Sequence, residues 1–290
     1  MAVKTGPTIR RVQLGKELKR LRERAGMSLV QAVEGLAFSD TKLWRVERGM
    51  TSLDKLSDLR SLCERYGVED EEDVDFLVRI QRESLSRDWW VPYRHVMPSG
   101  MVMFVGLERD ARRLRGWQPN VVYGLLQSEG YARALFETAK PVEETTTEFV
   151  ERNVQIRMDR KELITRTQSP VELWAIMSEG ALRQVVGDAG VMREQYRLIA
   201  ELAKLDNVTV QIMPWDTPAY RATNNFVLMD FDPPLPSVVH IDDAKSVNLV
   251  DKQSEIWKHT RRFDAMCAGA LGPGETPKFL ERLAREQGRQ

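Results

Sequence analysis

The stretch GLAFSDTKLWRVERGMTS, residues 35–52, decides how the first part of this chain is read. Ser39 is placed to cap a short helix that stops at Gly49, because a serine just ahead of a helix offers its oxygen to the free N–H groups of the first turn. Leu43 and Val46, three apart, share one face and predict its buried side, while Asp40, Thr41, Trp44 and Arg45 point elsewhere. That outward face, on an element this short, needs a partner to explain it.

The flanks repeat the pattern. Residues 12–26 (VQLGKELKRLRERAG) place Leu14, Leu18 and Leu21 at helical spacing, with Lys16, Lys19, Arg20 and Arg24 on the other sides, and predict an amphipathic helix closed by Gly26. A second short helix runs from Ser28, its cap, to Leu36 and buries Ala32 and Val33; Ala37 and Phe38 make the turn into the Ser39 helix. Residues 53–66 repeat Leu at 53, 56, 59 and 62, a fourth helix ended by Gly67. Residues 70–87 are a fifth, with Val74, Leu77, Val78 and Ile80 for packing. Short helices in this order predict a helix-turn-helix.

Charge follows the same division. The chain has 290 residues and no formal net charge, yet residues 1–66 carry 14 Lys or Arg against 8 Asp or Glu, residues 67–87 carry 3 against 7, and the remainder 26 against 28. A basic head on a mildly acidic body fits a nucleic-acid contact confined to the first domain, and a solvated basic helix face gives the same count. The length predicts two domains. No apolar run reaches the ~18 residues of a membrane span, and the start lacks the apolar core of a signal peptide, so the expectation is a cytoplasmic protein. Cys63 and Cys267 stand far apart without a CxxC, which predicts two separate buried thiols rather than a disulfide or a zinc site.

The run LGKELKRLRERAGMSLVQAVEGLAFSDTKLWRVERG, residues 14–49, resembles the XRE (phage-repressor-like) helix-turn-helix family in its LRxxRxxxGxS stretch, its turn and its closing R-[IV]-E-x-G. The resemblance implies sequence-specific binding of a double-stranded DNA operator, with residues 39–48 as recognition helix; because one such helix reads only a few base pairs, a homodimer on two half-sites is expected. It turns Ser39, Asp40, Thr41 and Arg45 toward base edges, Trp44 standing on the same outward surface. Arg45 has the chemistry to give two hydrogen bonds to guanine. Asp40 either accepts from cytosine or simply favours the helix N-terminus by its charge. Lys42 and Arg48 are expected on phosphates, which position without specifying. Where the family opens its second helix with a polar residue, this chain has Leu29, which leaves the Ser28 hydroxyl or a backbone N–H to hold the phosphate. Arg22 and Glu47 match an ion pair that ties the first helix to the recognition helix.

Residues 86–100 (SRDWWVPYRHVMPSG), rich in Pro and aromatics, break the periodicity. They set the domains at 1–87 and 101–290, with 88–100 as junction. Three helical stretches are predicted next, over 101–117, 122–139 and 145–165. Strands follow at 171–178, 208–214, 224–231, 237–243 and 246–250, with a helix at 191–205 between the first two and a terminal helix at 255–271. The fold class expected is therefore a mainly α helix-turn-helix domain followed by an α+β domain whose sheet is mostly antiparallel. LERDA, GLLQSEGYARALF, RMDRKELI, SEGALRQVVG and VTVQIMPW resemble the C-terminal domain of actinobacterial WhiJ-like regulators, also described as antitoxin-like. That resemblance implies a regulator whose C-terminal domain senses a ligand or partner; the alternative it carries is an antitoxin-like protein holding a small neighbour-encoded protein and regulating its own operon.

No nucleophile elbow, Gly-rich phosphate loop or HxxxH is present among the three histidines, so neither an enzyme nor a cofactor or metal is expected. His240, beside Asp242 and Asp243, reads as part of a half-exposed strand, and Glu179 with Arg183 as a local ion pair. The loop MPWDTPAYRATNNF, residues 213–226, offers Trp215, Tyr220, Arg221 and Asn224 either as a ligand or partner site or as a cover over the core.

Overall fold

The computed structural model describes residues 7–85, 101–233, 235–243 and 246–287. The chain divides into two compact units, Met1–Pro92 and Tyr93–Gln290. The expected junction at 88–100 lies outside the described residues.

The first unit is helical throughout: α1 (Pro7–Arg24), α2 (Leu29–Val33), α3 (Asp40–Glu47), α4 (Leu56–Arg65) and α5 (Glu71–Ser84). Its core joins Leu14, Leu18 and Leu21 of α1 to Leu43 and Val46 of α3, Leu59 and Leu62 of α4, and Leu77 and Ile80 of α5. Two bounds differ from the expectation. α2 stops at Val33 rather than Leu36, since Gly35 turns the chain with φ +74° and Arg65 Nη1 takes the carbonyls of Gln31, Ala32 and Glu34 at 2.7–3.2 Å. Leu53 is fully buried but precedes α4, and the buried Gln81 amide donates to the Leu53 and Lys55 carbonyls at 2.6 and 3.0 Å. The leucine repeat thus describes burial across a loop as well as a helix.

The second unit runs α6 (Met101–Asp110), β1 (Arg113–Gln118), a 3-10 turn (Gly124–Leu126), α7 (Glu129–Ala139), α8 (Thr147–Thr165), β2 (Glu172–Ser178), α9 (Glu179–Arg183), α10 (Ala189–Leu202), β3 (Val208–Met213), β4 (Phe226–Asp230), β5 (Val238–Asp243), β6 (Ser246–Val250), α11 (Gln253–Gly269) and α12 (Thr276–Gln287). One six-stranded mixed sheet has the order β3-β2-β1-β4-β5-β6. β1 pairs in parallel with β2, and β2 with β3, while β1–β4, β4–β5 and β5–β6 are antiparallel. Parallel neighbours need crossovers, supplied here by α7 with α8 and by α9 with α10; the antiparallel half follows as a simple meander.

The strand β1 corrects the helix expected over residues 101–117: the helix ends at Asp110 and RLRGWQ is a central strand. Its arginines, which suit the polar face of a helix, pair sideways along the sheet, Arg113 with Glu172 at 2.6 Å and Arg115 with Asp230 at 3.1 Å. The helix expected at 122–139 is likewise divided, because Ser128 caps α7 by accepting the Tyr131 N–H at 3.1 Å. The closing helix α12 was no part of the sequence expectation.

α11 lies on one face of the sheet, where Ile256, Phe263 and Met266 join Trp117, Ile176, Met213, Phe226, Leu228 and Val239. The other face buries a polar knot. Arg160 of α8 makes two hydrogen bonds to Glu108 of α6, at 2.7 and 2.9 Å, with both side chains buried. His240 corrects the half-exposed reading: it is 4% exposed, its ring 4.2 Å from that of Phe104. The cause is topological, since β5 lies between β4 and β6 with α11 on one face and α6 on the other. Burial, and then the nearby Arg160 charge, push the imidazole down to about 4. The side chains of Asp242 and Asp243 lie outside the described ones. Both cysteines are free; Cys63 is buried as expected, but Cys267 is half-buried. No helix among the described residues is long and apolar enough to cross a membrane.

Candidate nucleic-acid interface

α2, the turn and α3 are fixed by their caps. Ser28 Oγ accepts the Gln31 N–H at 3.3 Å while Gln31 Oε1 accepts the Ser28 N–H at 2.9 Å, a reciprocal capping box. Ser39 Oγ accepts the Lys42 N–H at 3.2 Å. Both serines are exposed at their helix N-termini, but each hydroxyl already has a structural task.

The inner face of α3 is clamped from three directions. Leu43 and Val46 are buried in the unit's core. Arg22 Nε and Nη2 reach Glu47 Oε1 and Oε2 at 2.6 and 2.8 Å, and Arg22 Nη1 donates to the Met27 carbonyl at 2.8 Å. The ion pair expected between Arg22 and Glu47 is therefore present, bidentate and buried; its hydrogen bond to Glu47 holds the guanidinium pKa above its usual value against the opposing effect of burial. The third contact was not foreseen. A Cβ on Gly15 would lie 2.2 Å from the Val46 carbonyl oxygen, so α1 crosses the end of α3 backbone to backbone. Gly49, with φ +67° and Val12 against it, then turns the chain away. Neither glycine was singled out for packing, because the sequence shows the helix stop at Gly49 and nothing of the crossing at Gly15.

The outer face of α3 is open. Thr41, Trp44, Arg45 and Arg48 are exposed. Arg45 has no side-chain hydrogen bond or ion pair among the described residues, so its whole donor fork faces solvent. Trp44 is 41% exposed, and the Arg48 guanidinium carbon lies 4.8 Å from its ring centroid. Lys42 is partly committed, with Nζ 3.4 Å from Asp54 Oδ2. Asp40 Oδ1 accepts the Thr41 N–H at 2.8 Å, an arrangement that serves the helix start. The structure thus gathers Thr41, Trp44, Arg45 and Arg48 on one surface and leaves Ser28, Ser39 and Asp40 as caps beside it.

The second candidate set divides. Trp215 is 63% exposed, which overturns its reading as a cover over the core. Its backbone N–H donates to Glu179 Oε2 at 3.0 Å, and its ring faces the Arg183 guanidinium at 5.6 Å; Arg183 also pairs with Glu179 at 2.6 Å and Glu286 at 2.7 Å. Burial raises the Glu179 pKa, but the hydrogen bonds from Arg183 and the Trp215 N–H outweigh it and hold the carboxyl below its usual value. Arg221 donates to the carbonyls of Pro214, Thr217 and Ala219 and so fixes the loop, with little left for a ligand. Asn224 is exposed. Tyr220 belongs with α11 instead, in a depression of about 380 Å³ lined by Lys258, Arg261, Arg262 and Ala265. Among the described residues, no three or more His, Cys, Asp or Glu cluster in a way that would hold a metal ion.

A clamped inner face and an open cationic outer face on the second of two capped helices define a helix-turn-helix DNA-binding domain. Residues 13–77 match a helix-turn-helix domain family. Residues 102–282 match a domain of unknown function, DUF5753, which spans more than half of the chain, and the protein belongs to that family. No curated protein and no solved structure matches the chain.

Proposed function

We propose that the protein is a cytoplasmic, non-enzymatic transcriptional regulator that reads an operator as a homodimer through α3 and senses a ligand or partner through its C-terminal domain. The observation that carries the DNA half is Arg45: an exposed guanidinium without an internal partner, on a helix whose opposite side is held by a buried ion pair and a glycine crossing. A rigid helix with a free bidentate donor is what discrimination of guanine requires. Dimerisation rests on geometry, since one such helix reads only a few base pairs and affinity comes from two half-sites about a turn apart. The resemblance to XRE and WhiJ-like regulators supports the same reading. Selection from a random DNA library tests it: a consensus made of two half-sites is expected, and recovery of unselected sequence would overturn it. Co-purification of a small neighbour-encoded protein, without an effector-dependent change in DNA affinity, would favour the antitoxin-like role instead.

A further inference from the structure

The exposed side of α11 carries a cluster of cations. Its inner residues Ile256, His259, Phe263 and Met266 are buried, which turns Lys258, Arg261, Arg262 and Ala265 outward. With Tyr220 they line the open depression of about 380 Å³, and no carboxylate among the described residues lines it. Arg261 and Arg262 are exposed and form no ion pair among the described residues. Two unpaired guanidiniums beside a lysine repel one another and favour an anion between them.

Each wall is held in place. The buried His259 accepts from Arg262 Nη1 at its Nε2, 3.2 Å away, while its Nδ1 lies 2.9 Å from the Glu255 carbonyl; the tautomer with hydrogen on Nδ1 satisfies both contacts. Arg261 lies over the exposed Trp257 ring at 4.8 Å. Lys258 pairs with Glu255 at 2.7 Å in water, an interaction that yields readily to a second anion. On the other side, the loop is fixed by Arg221 and pressed against the end of α11, where a Cβ on Gly269 would come 2.3 Å from Ala219 Cβ. Tyr220 is therefore presented from a set turn, 46% exposed.

We propose that this depression is a nucleotide site, with the base stacked on Tyr220 and the phosphates taken by Arg261, Arg262 and Lys258. An aromatic face beside three cations suits a ligand that carries a ring and a polyanion together, because stacking and charge-assisted hydrogen bonds each supply affinity. The volume lies at the lower end of small-molecule sites, ~300–1,000 Å³. The inference gives a chemical identity to the sensing role proposed above and rests on that reading for its regulatory meaning, not for the binding itself.

The test is calorimetric titration of the full chain, without DNA, using adenosine diphosphate, pyrophosphate and adenosine separately. Saturable binding of the diphosphate is expected, at least tenfold tighter than either pyrophosphate or adenosine. Arg261→Glu should weaken it at least tenfold, and Tyr220→Ala should remove most of the advantage over pyrophosphate. Both side chains are exposed, and thermal melting of each variant confirms that the fold is kept. No saturation by the diphosphate, equal affinity for diphosphate and pyrophosphate, or unchanged affinity in both variants would each overturn the site. Saturable binding of polyglutamate, with none of the diphosphate, would assign the patch to an acidic polypeptide and overturn it too. Because no DNA is present, none of these results bears on the operator-selection experiment.

Discussion

Arg45 and Arg22 are the same residue type in adjoining parts of one domain, in opposite surroundings. Arg45 is solvent-facing and has no ion pair among the described residues, so Arg45→Ala should leave the melting curve intact and relax base preference at one position in each half-site, by ~1–3 kcal/mol. Recovery of the wild-type consensus by the variant would remove Arg45 from the reading face. Arg22 is buried against Glu47, and its loss strands a carboxylate in the core. Arg22→Ala should therefore cost about 3–5 kcal/mol in urea unfolding, and an unchanged midpoint would contradict the buried pair. Both placements were legible from the sequence, the Arg22 pairing through the family resemblance and the outward position of Arg45 from the amphipathic pattern of its helix. His240 was not, because alternation along a strand gives a side and says nothing of what covers that side; α6, more than a hundred residues earlier, supplies the cover. Arg221 misled for a related reason: an arginine in an aromatic loop has ligand chemistry, yet carbonyls of its own loop take its donors.

At the scale of elements, the helices of the first unit were readable because caps and leucine spacing are local signals, and Ser28, Ser39 and Asp70 all serve as caps in the structure. β1 was not readable. A central strand with two arginines violates the apolar pattern of buried strands, and only its neighbours' carboxylates, Glu172 and Asp230, make it stable there. Gly116 within it lies under the Tyr123 ring, 2.4 Å from a would-be Cβ, a contact with no local signature. The crossing of α1 over α3 at Gly15 is of the same kind and gives a prediction whose sign has to be decided by magnitudes. Alanine in place of a mid-helix glycine gains up to ~1 kcal/mol from propensity. Here its Cβ would meet a backbone carbonyl at 2.2 Å, which no rotamer change relieves, and forced overpacking costs ~1–3 kcal/mol. Gly15→Ala should thus lower the urea midpoint by a net ~1–2 kcal/mol and weaken DNA binding with it. A stabilised variant would show that the helices part without penalty.

For the molecule as a whole, zero net charge conceals a division: the first unit carries the excess of cations, and a buried imidazole lies in the core of the second. Salt should expose the first part. If Arg48 meets a phosphate, Arg48→Ala should reduce the slope of log affinity against log salt by about 1 without altering the consensus, and an unchanged slope would place it off the backbone. Acid should expose the second. The buried His240 has its folded pKa lowered to about 4, against 6.5 for the free side chain, so the fold prefers the neutral ring and the unfolded chain takes up the proton first. That preference contributes fully above pH ~6.5 and is lost progressively as pH falls toward ~4. The carboxyls of Glu151, Glu179 and Glu255 have lowered pKa values, and their contribution fails only below the normal 4.5, so the interval between pH 6.5 and 4.5 is left to His240 in this comparison. Between pH 7 and 5, unfolding free energy should drop by roughly 2 kcal/mol, which is about one and a half pH units at 1.36 kcal/mol each. In His240→Phe, where a ring still packs on Phe104 but cannot be protonated, the drop should disappear. Equal losses in the wild type and the variant would show that the proton is taken up elsewhere and that the imidazole reaches solvent.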